Sequence, residues 1–254
     1  MLYSKLTRWA RNRKAPDARI PDRQRVYAIG DIHGRLDLLE VLLARIEEDD
    51  AARGAADTLI ILLGDLVDRG PDSAGVVECA MRLRSRGRHV RFLKGNHEEV
   101  LLRAVHGDAK STKFLIRIGG RATLASYGIT DDEYNTLEYE DLTALLAARV
   151  PAEHVAFLES FEDLIEVGDY AFVHAGIRPG VDLEQQRPSD LRWIRDDFLN
   201  HQGMHARVVV HGHSITEEVE RLPNRIGIDT GAFASGRLSA VGLEADQCWF
   251  LSTD

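Results

Sequence analysis

An α/β domain is what this sequence predicts, and three observations predict it. Short β-branched apolar runs alternate with stretches whose apolar residues recur at helical spacing. Most of those runs stop at a glycine and are followed at once by an Asp, Asn or His. No linker-like stretch divides the chain, and the candidate ligands are spread from residue 31 to residue 213, which favours one domain over two.

Taken in order, Arg25-Val26-Tyr27-Ala28-Ile29 reads as a first core strand ending in Gly30-Asp31-Ile32-His33-Gly34. Leu36, Leu39, Leu43 and Ile46 then give an amphipathic helix to about residue 50. Thr58–Leu63 has the length and branching of a buried strand and leads into Gly64-Asp65-Leu66-Val67-Asp68-Arg69-Gly70. Ser73–Arg86 reads as a helix stopped by Gly87, and His89–Leu93 as a strand that runs into Lys94-Gly95-Asn96-His97-Glu98. Residues 98–162 look mostly helical, broken at Gly119-Gly120 and Gly128, and read as a cap-like insertion. Strand patterning resumes at Asp163–Val167 and Tyr170–Val173, the latter ending in His174-Ala175-Gly176. A short helix over Asp190–Leu199 carries Trp193 and Arg195, and Arg207–Val210 is a strand ending in His211-Gly212-His213. Ile226–Asp229, Leu238–Leu243 and Gln247–Leu251 read as closing strands with tight turns.

Composition narrows the function classes. An apolar share of 44% over 254 residues suffices for a full core. A net charge of −9 argues against a nucleic-acid binder, whose backbone affinity comes from surplus Lys and Arg. The charge is uneven, because residues 1–25 hold eight Lys or Arg against two Asp. Residues 1–24 therefore read as a basic, flexible arm, with weak contact to an acidic surface or partner as the sharper reading. No run has the continuous apolar core of a signal peptide or the length of a membrane span. Cys79 and Cys248 lie in apolar contexts, so a disulfide framework is not expected and a reducing, cytoplasmic setting fits.

The chemistry lies in the repeated grammar of strand, glycine and donor. Ligand sites in α/β proteins collect beyond the carboxyl ends of strands. If these strands are neighbours, Asp31, His33, Asp65, Asn96, His174 and His213 converge. Singly, each has a bland explanation, an Asp as a helix cap and a His as a structural core residue. Six such explanations holding together, all at strand ends, is the harder reading. The donors are oxygen and imidazole nitrogen without thiolate, which disfavours a structural zinc knot and suits Mn, Fe, Co or Zn. Six side chains exceed what one open catalytic ion needs but suit two ions sharing a carboxylate. Asp65, central in chain order, is the one expected to bridge. Two ions about 3.5–4 Å apart can hold and acidify a water.

Gly30-Asp31-Ile32-His33-Gly34, Gly64-Asp65-Leu66-Val67-Asp68-Arg69-Gly70 and Gly95-Asn96-His97-Glu98 resemble the signature of the calcineurin-like metallophosphoesterases, and more narrowly of the phosphoprotein phosphatase family. His174-Ala175-Gly176, Trp193-Ile194-Arg195, Gly212-His213-Ser214 and Ile228-Asp229-Thr230-Gly231-Ala232 resemble later blocks of its phage and bacterial branch. The resemblance spans about residues 25–245. It implies a four-layer αββα sandwich, two mixed sheets flanked by helices, as a single domain over 25–254 with a dinuclear site at its rim. It implies that Asp31 and His33 hold one ion, that Asn96, His174 and His213 hold the other, and that Asp65 bridges, with manganese first among the metals. Arg69 and Arg195, with Asn96, would contact the substrate phosphate while a metal-bridging hydroxide attacks phosphorus. His97, oriented by Asp68, would protonate the leaving alkoxide. The plain alternatives are a surface role for Arg195 and a salt bridge to Arg69 alone for Asp68.

The implied activity is hydrolysis of phosphoserine or phosphothreonine, with phosphotyrosine as a further candidate, in phosphoprotein or phosphopeptide substrates. The alternative enzyme is a diadenosine polyphosphate or nucleotide hydrolase, in which Asp68 tends to be alanine and tryptophan commonly stands at Ser214. A non-catalytic scaffold is the alternative of another class, and it would be expected to lose ligands or the His97–Asp68 pair. Lys94 stands where many relatives have arginine. His211, two residues before His213 along a strand, is expected to face the same side, but is kept outside the ligand set. His89, His106, His154, His201 and His205 lie in none of the motifs and read as structural or surface residues.

Overall fold

The computed structural model describes residues 18–85 and 87–254. Most of the expected basic arm therefore lies outside the described residues. Residues 18–23 of that arm are packed against the domain rather than free. Ile20 is buried, and its N–H donates to the carbonyl of Ala245. The arm boundary drawn at residue 24 came from charge alone, and Ile20 is an apolar side chain that the core takes in.

The described strands are β1 (Gln24–Ile29), β2 (Asp57–Leu62), β3 (Val90–Phe92), β4 (Leu164–Val167), β5 (Tyr170–Val173), β6 (Val208–His211), β7 (Glu220–Arg221), β8 (Arg225–Gly227), β9 (Ser239–Glu244) and β10 (Gln247–Ser252). They form two five-stranded sheets, ordered β10-β9-β1-β2-β3 and β4-β5-β6-β8-β7. Both are mixed. β1, β2 and β3 run parallel in the first sheet, as do β5, β6 and β8 in the second, and antiparallel strands complete each.

Period-two alternation explains the layering. Along β1, Val26 and Ala28 face the second sheet and pack with Ile61, Phe172, Val210 and Val241. Tyr27 and Ile29 face the other way, against the helices α1 (Leu36–Arg53) and α2 (Ser73–Ser85), through Leu39, Leu42 and Val76. Both faces of β1 are buried, which is why it reads as a continuous apolar run. On the far face of the second sheet, Val173 and Val209 pack with Leu191, Ile194 and Phe198. The result is helices, sheet, sheet, helices.

The segment between β3 and β4 is helical. It contains α3 (Asn96–Val105), α4 (Ala109–Leu115), α5 (Arg121–Ser126), α6 (Asp131–Thr136), α7 (Tyr139–Arg149) and α8 (Ala152–Glu159). Leu101, Leu115, Leu124, Leu146 and Phe157 join the same core as α1 and α2, so this segment extends the outer layer of the first sheet. Gly119 and Gly120 do not simply break it. They close a π-helical turn, Ile116–Gly120, in which Gly119 has φ 116°. The single helix expected over Asp190–Leu199 is two, α9 (Pro188–Trp193) and α10 (Asp196–Leu199), because Ile194 and Arg195 have non-helical backbone angles. A short helix, α11 (Ala232–Ser235), follows β8. Among the described residues no helix is long and apolar enough to cross a membrane.

Candidate metal and active site

Five of the six parallel strands deliver the expected donors from their carboxyl ends. Asp31 and His33 follow β1, and Asp65, Asp68 and Arg69 follow β2. Asn96 and His97 open α3 just beyond β3, His174 follows β5, and His213 follows β6. The two sheets meet here. The ring of His174, from the second sheet, places Nδ1 2.9 Å from the carbonyl of Leu63 in the first. At Gly64, with φ 101°, any Cβ would lie 2.6 Å from the amide nitrogen of Gly95, so only glycine lets these loops close.

Backbone strain collects at the same place. His33 (φ 47°), Asp65 (φ 50°), Asp68 (φ 73°), Arg69 (φ 68°) and His213 (φ 61°) are all left-handed. Each such residue costs roughly 1–3 kcal/mol and persists where surroundings over-determine it, as they tend to at functional sites.

The side chains form two groups, each suited to a cation: His33, Asp65 and His97, and then Asp65, His174 and His213. Asp65 belongs to both. Its Oδ2 lies 3.5 Å from His33 Nε2 and 3.8 Å from His97 Nε2, and its Oδ1 lies 3.4 Å from His174 Nε2. Asn96 joins the second group, with Oδ1 3.0 Å from His174 Nε2, and His213 Nδ1 is 3.2 Å from the same nitrogen. Asp31 is buried at this centre, but its carboxylate accepts the His213 amide, at 3.1 and 3.0 Å. His33 is thus grouped with His97 rather than with Asp31.

The tautomers indicate what the centre lacks. His174 donates from Nδ1 to Leu63, and His33 donates from Nδ1 to the carbonyl of Val67 at 2.8 Å. In the neutral rings each Nε2 is then a lone pair. His174 Nε2 faces an amide oxygen, a second imidazole and a carboxylate, a set of acceptors that draws either a proton or a metal cation to this nitrogen. His213 Nε2 is buried and has no partner. Electron pairs converging among buried side chains are costly unless a cation joins them, so this donor set fits divalent ions.

The electrostatics carry the same imbalance. Burial pushes His33 down to about 3 and His213 down to about 2. Burial opposes protonation of His174 too, but the Asp65 carboxylate, with Asp31 and Glu98 behind it, outweighs this and raises it to about 10. Burial, together with Asp229, raises Asp31 well above the usual carboxylate range. Asp65 goes the other way despite burial, held down by the surrounding imidazoles.

Beside the donors lies an acid–base pair. His97 Nδ1 is 2.6 Å from Asp68 Oδ2, both residues being fully enclosed. Burial works against a proton on His97, but Asp65 and Asp68 outweigh it and raise its affinity. Arg69 sends Nη1 to 2.9 Å from His33 Nε2 and Nη2 to 3.1 Å from His97 Nε2. Its guanidinium stacks on Phe233, at 4.7 Å from the ring centroid. Arg195 is exposed at the break between α9 and α10, and its charge reaches His213.

The structure also shows residues that sequence reasoning left out. Glu98 is fully buried and accepts backbone N–H groups from Asp65 (2.8 Å), Leu66 (2.7 Å), Val67 (3.3 Å) and Gly95 (2.9 Å). One carboxylate thereby fastens the β2 loop to the start of α3. Asp229 follows β8, accepts the Gly231 amide at 2.9 Å and raises the proton affinity of Asp31. It obeys the strand-end grammar and could have been found by it. His211 does not share the side of His213. Its ring packs edge-on against Phe198, at 5.0 Å, on the outer face of the second sheet. Strand alternation ends at His211, and the left-handed backbone of His213 reverses the side on which that residue emerges.

A family profile described as calcineurin-like phosphoesterase matches residues 24–230. The serine/threonine-protein phosphatase 2 of Escherichia coli (strain K12) is 31% identical over 224 residues, covering 84% of this chain and 90% of that protein. An asymmetrical bis(5'-nucleosyl)-tetraphosphatase, PrpE, of Anoxybacillus flavithermus is 26% identical over 233 residues, covering 84% and 88%. Among solved structures, one provisionally named a diadenosine tetraphosphatase aligns with a TM-score of 0.63 at 23% identity. That alignment covers 90% of this chain and 93% of the other, and the likeness is one of fold.

Proposed function

The chain belongs to the calcineurin-like phosphoesterase family, and from that premise we propose that it is a metal-dependent phosphomonoesterase acting on phosphoserine and phosphothreonine in proteins. The observation that carries this reading is the enclosed His97–Asp68 pair, 2.6 Å apart, set against the shared carboxylate Asp65. A monoester of serine or threonine leaves as a basic alkoxide, which needs a proton, and a paired imidazole at the centre is the group to supply one.

In this reading Asp31 and His33 hold one divalent ion, Asn96, His174 and His213 a second, and Asp65 both. Bound ions, manganese in this proposal, supply charge compensation and Lewis-acid activation of water. The remaining chemistry belongs to the chain. Arg69 offers a forked pair of N–H donors that suits two phosphate oxygens, and Arg195 and Asn96 add further contacts. These donors offset negative charge as it grows in the transition state. His97 keeps Nδ1 on Asp68, and with Arg69 turned from His97 Nε2 to the phosphate, that nitrogen carries the proton for the leaving oxygen. Asp68 fixes the ring and favours its charged form.

A second reading, hydrolysis of dinucleoside polyphosphates, is favoured by the similarity to the tetraphosphatase of Anoxybacillus flavithermus. One experiment separates them. The protein is freed of metal with EDTA, reloaded with manganese, and assayed at equal concentrations of phosphoserine, phosphothreonine and phosphotyrosine peptides and diadenosine tetraphosphate. The proposal expects metal-dependent turnover that is fastest on a phosphopeptide. Preference for the dinucleotide would transfer the assignment to the second reading, and full activity after EDTA would exclude both.

A further inference from the structure

Beyond α3, which carries Asn96 and His97, the helical segment before β4 also reaches the site, through a buried hydroxyl on α5. Thr123, on α5, donates from Oγ1 to Asp68 Oδ1 at 2.6 Å, across 55 positions of sequence. The other oxygen of that carboxylate meets His97 Nδ1. Thr123 Oγ1 also accepts the Asp68 backbone N–H, at 2.9 Å, and lies 2.9 Å from Ser73 Oγ. A threonine hydroxyl has one donor and two acceptor positions, and here all three are used. Thr123, Ser73 and Asp68 are wholly enclosed, so water cannot stand in for any of these bonds.

The backbone explains why such a clamp is required. Asp68 and Arg69 are consecutive non-glycine residues at φ 73° and 68°, a costly arrangement that must be held from outside. The helical segment holds both amides: Asp68 N–H donates to Thr123, and also to Ser73 Oγ of α2 at 3.0 Å, while Arg69 N–H donates to the carbonyl of Gly119 at 3.0 Å. Gly119 belongs to the π-helical turn, and a Cβ there would come within 2.6 Å of Arg69 Cγ. Such turns often occur at functional sites.

We propose that Thr123 is a positioning residue for the phosphoesterase site: its hydroxyl holds the Asp68 carboxylate in the orientation that presents Oδ2 to His97. The part of the helical segment beyond α3 thereby supports the catalytic apparatus and is not only a cover. The kinetic part of the test rests on His97 as proton donor, and the spectroscopic part does not.

Thr123→Val keeps the shape and removes the hydroxyl, whereas Thr123→Ser keeps the hydroxyl. The Nδ1–H resonance of His97 is recorded with zinc, which is diamagnetic, or with no ion, and is assigned by its loss in His97→Asn. It should shift or vanish in Thr123→Val and persist in Thr123→Ser. In the manganese-loaded protein, Thr123→Val should lower kcat on a phosphoserine peptide by roughly 10²-fold, the scale of a small catalytic misplacement. It should barely affect p-nitrophenyl phosphate, whose phenolate leaves without a proton, and KM and metal content should hold. Thr123→Ser should restore the peptide rate. If the valine variant fails to fold, Thr123→Ala reads the same contrast. An unmoved resonance in the variant lacking the hydroxyl, or no rescue by serine, overturns the proposal. If His97→Asn slows both substrates alike, the proton-donor reading fails, while a displaced resonance in Thr123→Val still upholds the clamp.

Discussion

One group of histidines lies at the rim where the two sheets meet and another on the outer face of the second sheet, and they behave differently. At the rim, His33, His97, His174 and His213 surround Asp65. On the outer face, His211 packs edge-on and His205 face-on against Phe198, at 5.0 and 5.6 Å, and His205 stacks on His201. The outer group looks inviting, because His205 Nε2 and His211 Nε2 are buried without partners. Its neighbours, however, are aromatic rings and the guanidinium of Arg225, whose own carboxylate partner is Glu220. Burial and that positive charge push His205 and His211 down to about 4. At the rim, carboxylates reverse the effect at His174, which rises to about 10. Loss of water around the rings is common to His174 and to His205 and His211. A carboxylate placed between the imidazoles is what makes a cation site.

The largest effect that sharpens this contrast is expected from Asp65→Asn. Neutralising the shared carboxylate should empty both donor groups, so metal content by elemental analysis and phosphoesterase rate should fall together. His97→Asn should cost roughly 10²–10⁴ in rate, the span of general acid catalysis, while leaving metal content unchanged. Loss of metal in that variant would make His97 a ligand, as its grouping with His33 and Asp65 allows.

On the outer face the expected signature is stability rather than rate. His211 is neutral when folded, with a value lowered to about 4, and protonates near 6.5 when unfolded. Its contribution is therefore intact above pH 6.5 and is lost as pH falls toward 4, by up to about 3 kcal/mol at 1.36 kcal/mol per unit. Denaturant unfolding at pH 7 and pH 4.5 should show a gap that narrows in His211→Asn. An unchanged gap would contradict the assignment. Glu98→Gln is the smallest of the set. Weakening the acceptor for four enclosed N–H groups should lower stability by about 1–3 kcal/mol, read from the same unfolding curves, with metals still bound.

The legible part of this site was whatever lies at a strand end. Asp31, His33, Asp65, Asn96, His174 and His213 each follow an apolar run, and the fold brings those runs to one rim. What stayed hidden acts sideways. Glu98 looks like an ordinary first-turn helix acid until the β2 loop is seen to wrap around it. Thr123 sits in a helix with nothing local to mark it, since its partner is a loop 55 residues away. His211 was misjudged because alternation holds only while the strand lasts. Residues 18–23 were misjudged because a count of charges says nothing about one buried isoleucine.

The central claim is that Asp65 is shared by two cation sites. Anomalous diffraction from crystals grown with manganese, collected at the manganese edge, tests it most directly. Two peaks flanking the Asp65 carboxylate, one beside His33 and one beside His174 and His213, are predicted. No peak at Asp65, or a peak among His201, His205 and His211 instead, would contradict it.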